Sequence, residues 1–166
     1  MIIRFLLSAT LAVALQGQLH SARAAVFTLN DHVQAHALEM QMLDFMANVT
    51  DALKTAKSSA YECLNDMSYL LEPVSGTFHE TTDLIGLSAK MLTPGDERTI
   101  NSLLAAYVVE VAPHQIANSR SSLYFTARRC GQDNIVNAKV RQALDIFSRL
   151  EGFYGTLQSK LGTTQR

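Results

Sequence analysis

Residues 133–161 read DNIVNAKVRQALDIFSRLEGFYGTLQSKL, and their apolar spacing decides the fold. Val136, Val140, Ala143, Phe147, Leu150, Tyr154, Leu157 and Leu161 recur in steps of four and three. That is the period of an α-helix with one apolar seam, which other helices must cover. The helix is expected to start near Asp133, and Gly152 and Gly155 interrupt the seam where bending or close approach is permitted.

The same period governs the chain upstream. Leu38, Met42, Phe45, Val49, Leu53, Ala56, Ala60, Leu64, Met67 and Leu71 form a second long series. It begins after Asn30-Asp31, is expected to run unbroken through Asn48-Val49-Thr50, and stops before Pro73. Thr77 and Glu80 have capping-box spacing for a further helix with Ile85, Ala89 and Leu92 on its stripe. Gly86 weakens that helix by about 1 kcal/mol relative to Ala. At Thr93-Pro94-Gly95-Asp96-Glu97 a cap, a proline in the first turn and two acids open the next one.

That helix carries Ile100, Leu104, Tyr107, Val108 and Val111 before it meets Pro113. A proline inside a helix removes a hydrogen bond and crowds the preceding turn, so a kink or break is expected there. Ile116, Leu123 and Ala127 continue the stripe beyond it, Arg128 and Arg129 suit a helix C-terminus, and Gly131 ends it. No stretch alternates as a strand would. The expected fold is all-α: an antiparallel bundle of four or five amphipathic helices.

Composition narrows the classes. A chain of 166 residues, 48% hydrophobic and 17% charged, suits one domain with a sizeable core and not a disordered segment. Fourteen basic against 15 acidic side chains argue against a nucleic-acid binder.

Residues 1–24 read as a secretory signal peptide. Arg4 gives the positive start, Phe5 to Leu15 the apolar run, and Ala22-Arg23-Ala24 the small-x-small cleavage site. The run is too short for a membrane anchor, which needs about 20 apolar residues. Cleavage after Ala24 removes Arg4 and Arg23 and no acid, leaving a mildly acidic domain, residues 25–166, with no second apolar run of spanning length. The expected location is the extracellular space, or the periplasm of a Gram-negative host.

Export makes a disulfide between Cys63 and Cys130 the natural use of two cysteines. It closes a loop worth roughly 4 kcal/mol of chain entropy. With the helix boundaries above, bringing Cys130 back level with Cys63 favours a sharp reversal at Pro113.

Chemical motifs are sparse. His32, His36 and Met40 follow one another at four-residue spacing, and imidazole with thioether suits copper. Glu39 offers a carboxylate that can ligate or orient a histidine. Glu-x-x-His pairs for a di-iron site, Cys-x-x-Cys-His for haem and clustered zinc ligands are all missing. So are nucleophile-elbow, Walker and dinucleotide loops. His79, Glu80 and Asp83 read as helix-start residues, and Asn48-Val49-Thr50 fits a glycosylation acceptor. The expectation is therefore a non-enzymatic binding module with no resident cofactor. Its partner is another protein, an apolar small molecule between the helices, or a second copy through the last helix. A copper carrier is the alternative.

Overall fold

A computed structural model describes residues 26–90 and 94–164. The expected signal peptide, residues 1–24, and the expected cap Thr93 lie outside that range. Four helical rods make up the rest. Helix α1 is Leu29–Thr55, and α2 is Ser58–Ser88. The third rod consists of α3 (Pro94–Ala106), a π-helical turn (Tyr107–Val111) and α4 (Ala112–Arg129). Helix α5 is Asn134–Thr164. The architecture is an all-α bundle, without a strand among the described residues.

Cross-helix contacts fix an up-down-up-down order. His32 lies against Gly86 while Glu39 meets His79, so α1 and α2 are antiparallel. Ser119 donates to the Leu70 carbonyl and Thr77 to Gln115, setting α2 against α4. Arg120 reaches Glu151 across α4 and α5, and Lys160 reaches Asp31 across α5 and α1. The ring of four rods therefore closes. Its core contains Met42, Leu64, Met67, Phe78, Leu104, Ile116, Leu123 and Phe147. The α5 seam is buried throughout from Val136 to Leu157. Phe78, Phe153 and Tyr154 meet edge to face, with centroids 5.8 to 6.5 Å apart. Burial pushes the Tyr154 phenol up, although Thr81 Oγ1 lies within hydrogen-bond distance.

Several boundaries differ from those read in the sequence. Helix α1 starts at Leu29, slightly before the expected start after Asn30-Asp31, with Thr28 as its cap. The Thr28 side chain accepts from the Asp31 N–H, and the Asp31 carboxylate accepts from the Thr28 N–H at 2.8 Å. The helix does run through Asn48-Val49-Thr50, but it ends at Thr55, and an extended Ala56 turns the chain. The expected stop before Pro73 does not occur, because α2 passes through it. Pro73 and Tyr69, whose carbonyl loses its partner, are both on the outer surface, where water can satisfy that oxygen. Thr77 is thus no helix cap; it is buried in mid-helix and donates to Gln115 Oε1 at 2.5 Å.

The chain does not reverse at Pro113 either. Cys63 is near the start of a longer α2 and Cys130 follows α4, so an antiparallel pair brings them together without a reversal. They form the Cys63–Cys130 disulfide, 67 positions apart with Cα atoms 6.6 Å apart. The π turn accommodates the proline. In that turn the Ala112 N–H donates to the Tyr107 carbonyl, five residues back. The next bond in this register would run from residue 113 to Val108, and proline has no N–H to give. Gln158 Nε2 of α5 donates to the Val108 carbonyl instead, at 3.0 Å. Asp133 then opens α5 by accepting from the Ile135 and Val136 N–H groups.

Gln158→Ala should therefore lower unfolding stability by about 1 kcal/mol. Most of that loss should vanish in a Pro113→Ala background, where residue 113 supplies its own donor. A double-mutant cycle by urea denaturation measures the coupling, and an undiminished loss would refute the assignment.

Candidate functional site

Helix α1 carries two apolar stripes, and only one is buried. The inner stripe is Ala35, Met42, Phe45 and Val49, each nearly inaccessible. The outer stripe is Leu29, Val33, Met40 and Leu43, which are 69, 59, 45 and 44% exposed. His36 falls in the same series, and the steps of four, three, four and three keep all five on one side of the helix. At 100° per residue the two stripes face nearly opposite ways. Exposed apolar residues scattered singly need no explanation, but a contiguous row does.

Beside this row, α1 and α2 are joined by a polar cluster. Glu39 is buried, and its carboxylate accepts from His79 Nδ1 at 2.5 Å and from His36 Nδ1 at 3.3 Å. His79 Nε2 is 3.8 Å from Asp83. The hydrogen bond from His79 to Glu39, then the charges of Glu39 and Asp83, hold the His79 imidazole above its ordinary range. His79 and Asp83 are thus partners in mid-helix. The sequence expectation of a helix start is overturned, because α2 begins at Ser58.

The copper candidates are placed as follows. His32 turns toward α2, where a Cβ on Gly86 would come within 2.8 Å of its ring, so this glycine permits the close approach. His32 Nδ1 is buried with no hydrogen-bond partner among the described residues. His36 bonds to Glu39, and Met40 lies on the outer stripe. His32 and Met40 are about 12 Å apart along the axis, so the structure does not bring the three side chains to one point. Among the described residues, no three His, Cys, Asp or Glu groups are placed to hold a metal ion.

Two open grooves lie elsewhere on the described surface. An open groove of about 550 Å³ separates α1 from α5, lined by Asp44, Phe45, Asn48, Arg141, Asp145 and Arg149 among others. Asn48, the glycosylation candidate, is exposed on its α1 wall, where its amide donates to the Asp44 carbonyl. A smaller groove of about 230 Å³ lies beside Cys130 and Arg129. Arg129 itself pairs with Asp66 and approaches Cys63 Sγ.

The outer stripe and the Glu39–His79 link both escaped the sequence reading. The stripe was visible as a second series with the same step, and the link required knowing where α2 begins. Comparison with protein-family models, curated proteins and solved structures gives no match.

Because His79 titrates above its ordinary value in the folded chain, its protonated form favours folding. That contribution is complete below about pH 6.5 and disappears as pH rises through the elevated folded value. His79→Gln should therefore lower the melting temperature at about pH 5.5, with the deficit shrinking as pH rises through the elevated folded value. A pH-independent deficit in thermal melts would show that the ring contributes by packing alone.

Proposed function

We propose that this chain is an exported, non-enzymatic interaction module that docks a protein along the outer face of α1. The observation that carries this reading is the exposed row Leu29, Val33, Met40 and Leu43, backed by a bundle that buries the opposite side of α1. A rigid scaffold offering an apolar row binds without paying to order itself, which favours recognition by a helix or strand of a partner.

Magnitudes limit what the row can do alone. Covering four half-exposed side chains is worth roughly 1 kcal/mol each, about 4 kcal/mol together. Association costs at least about that much. The row can therefore anchor a partner, but neighbouring polar groups must supply the remaining affinity and the specificity.

Export is supported by the signal-like residues 1–24 and by a disulfide, which persists in oxidising compartments. No described helix is long and apolar enough to cross a membrane. The copper reading through His32, His36 and Met40 rests on spacing alone, and no observation favours the apolar-ligand reading over the exposed row. Dimerisation through α5 would have to use something other than its apolar seam, which the bundle itself buries.

Photoreactive residues placed at Val33 and at Leu43, in the chain made by its own source, should both cross-link to one discrete protein. The same residue at exposed Asn118 on α4 should not. Intact mass should show the chain beginning at Ala25 and lighter by two protons. Adducts spread equally over all three positions, or none at 33 and 43, would overturn the docking face.

A further inference from the structure

We infer that the partner segment docking on α1 is a basic amphipathic helix, held by the acidic outer surface that α1 and α2 present together. The inference rests on the α1 docking face above and adds the chemistry of its occupant. Its basis is an uneven distribution of charge that the overall net charge of −1 conceals.

Residues 29–90 contain nine Asp and Glu against three lysines, Lys54, Lys57 and Lys90, and α2 has no Lys or Arg from Ser58 to Ser88. Three of the acids, Asp31, Asp51 and Asp66, are already paired with Lys160, Lys54 and Arg129. Residues 94–164 reverse the balance, with six acids and eight Lys and Arg. Lys54 sits at the far end of α1 and pairs with Asp51 at 2.7 Å. The cations facing α1 from α5, Arg141 and Arg149, line the groove on its other flank. On the α2 flank, from Glu72 to Asp83, the titratable groups beside the stripe are acids and His79, and the nearest lysine, exposed Lys90, lies beyond the end of α2.

Register places those groups. His32 meets Gly86 and Glu39 meets His79, so the stripe from Val33 to Leu43 runs antiparallel to residues 75–85 of α2. Glu72, Gly76, His79, Asp83 and Leu87 lie on the outer side of α2 at steps of four and three. Of these, Glu72 and Asp83 are exposed, and Leu87 is 41% exposed and extends the apolar row at one end. Gly76 has no Cβ, and nothing lies within 4 Å of where one would be, so the α2 row is low and open at that point. The two rows lie side by side, apolar residues along α1 and the exposed carboxylates of Glu72 and Asp83 along α2.

The apolar row from Leu29 to Leu43 is about 21 Å long, the span of four turns of a docked helix. A helix with leucines on one face and lysines or arginines on the flank over α2 fits both rows. A second copy of this chain fits poorly, because a two-fold contact through this face would set acids against acids. Attraction across an exposed surface of this kind is screened by salt, which gives the test its signature.

The test uses three synthetic 15-residue amphipathic helices that share a leucine face and carry Lys, Gln or Glu on the flanks. Binding to the full mature chain is followed by fluorescence anisotropy at low and at high salt. The Lys peptide should bind about tenfold or more tighter than the Glu peptide and weaken as salt rises. Val33→Asp with Leu43→Asp should abolish binding, and Glu72→Lys with Asp83→Lys should invert the Lys/Glu preference. All four positions are exposed, and an unchanged thermal melt confirms that each variant folds. Equal, stripe-dependent binding of all three peptides would overturn the basic partner while leaving the docking face standing. Binding of none, or binding indifferent to the Val33 and Leu43 changes, would overturn both. Self-association lost in the same variant would make the occupant a second copy and overturn the inference.

Discussion

The Asp31 carboxylate closes the bundle. It accepts from the Thr28 N–H and hydroxyl, which starts α1, and from Lys160 Nζ at 2.6 Å, which joins α1 to the far end of α5. Burial opposes its ionisation, but the hydrogen bonds from Lys160 and Thr28 outweigh that and hold the carboxyl below its usual range. This pair adds a charged link to the packing of the first helix against the last. The Cys63–Cys130 disulfide ties α2 to α4 at the opposite end of the bundle. One charge pair and one covalent bond thus clamp different helix pairs at different ends, and every cross-helix register described above lies between them.

Most of the fold was legible where a single stripe decided it. The α5 residues from Val136 to Leu157 are buried as their spacing required. Helix ends were less legible, for particular reasons. Leu53, Ala56 and Ala60 keep the helical step across the α1–α2 turn, because both helices point their apolar sides at one core. The period therefore runs through the break and hides it. Lys57 offers no capping side chain there, so local chemistry is silent too. The prolines misled in the opposite direction. A lost N–H costs little when the orphaned carbonyl faces water, as at Pro73, or finds Gln158, as at Pro113. Both rescues depend on residues far away or on exposure, and neither can be read from the neighbours of a proline.

The candidate face was half-legible for a related reason. A series such as Leu29, Val33, Met40 and Leu43 satisfies the test for a buried stripe, yet α1 already has one. Sequence alone does not rank two stripes on one helix. The histidines show the same limit. His32 and His36 are one turn apart in α1, but the structure gives them different neighbours, Gly86 for one and Glu39 for the other. Glu39 pairs with His36 on its own helix and, at the shorter distance, with His79 from α2.

A helix that is apolar on two sides raises the question of which side turns inward. Area alone does not answer it, since Leu29, Val33, Met40 and Leu43 are as apolar as Ala35, Met42, Phe45 and Val49. The carboxylates distinguish the two orientations. With the observed face inward, Asp31 reaches Lys160 and Glu39 reaches His79. Turning α1 half a revolution would carry both acids away from these partners while leaving Lys160 and His79 in place. Removing one member of such a pair is costly even where the intact pair adds little net stability. The ion pairs thus act as a rotational key for α1. A key of this kind lets the protein keep an apolar row on the outside without burying the wrong side of its own first helix.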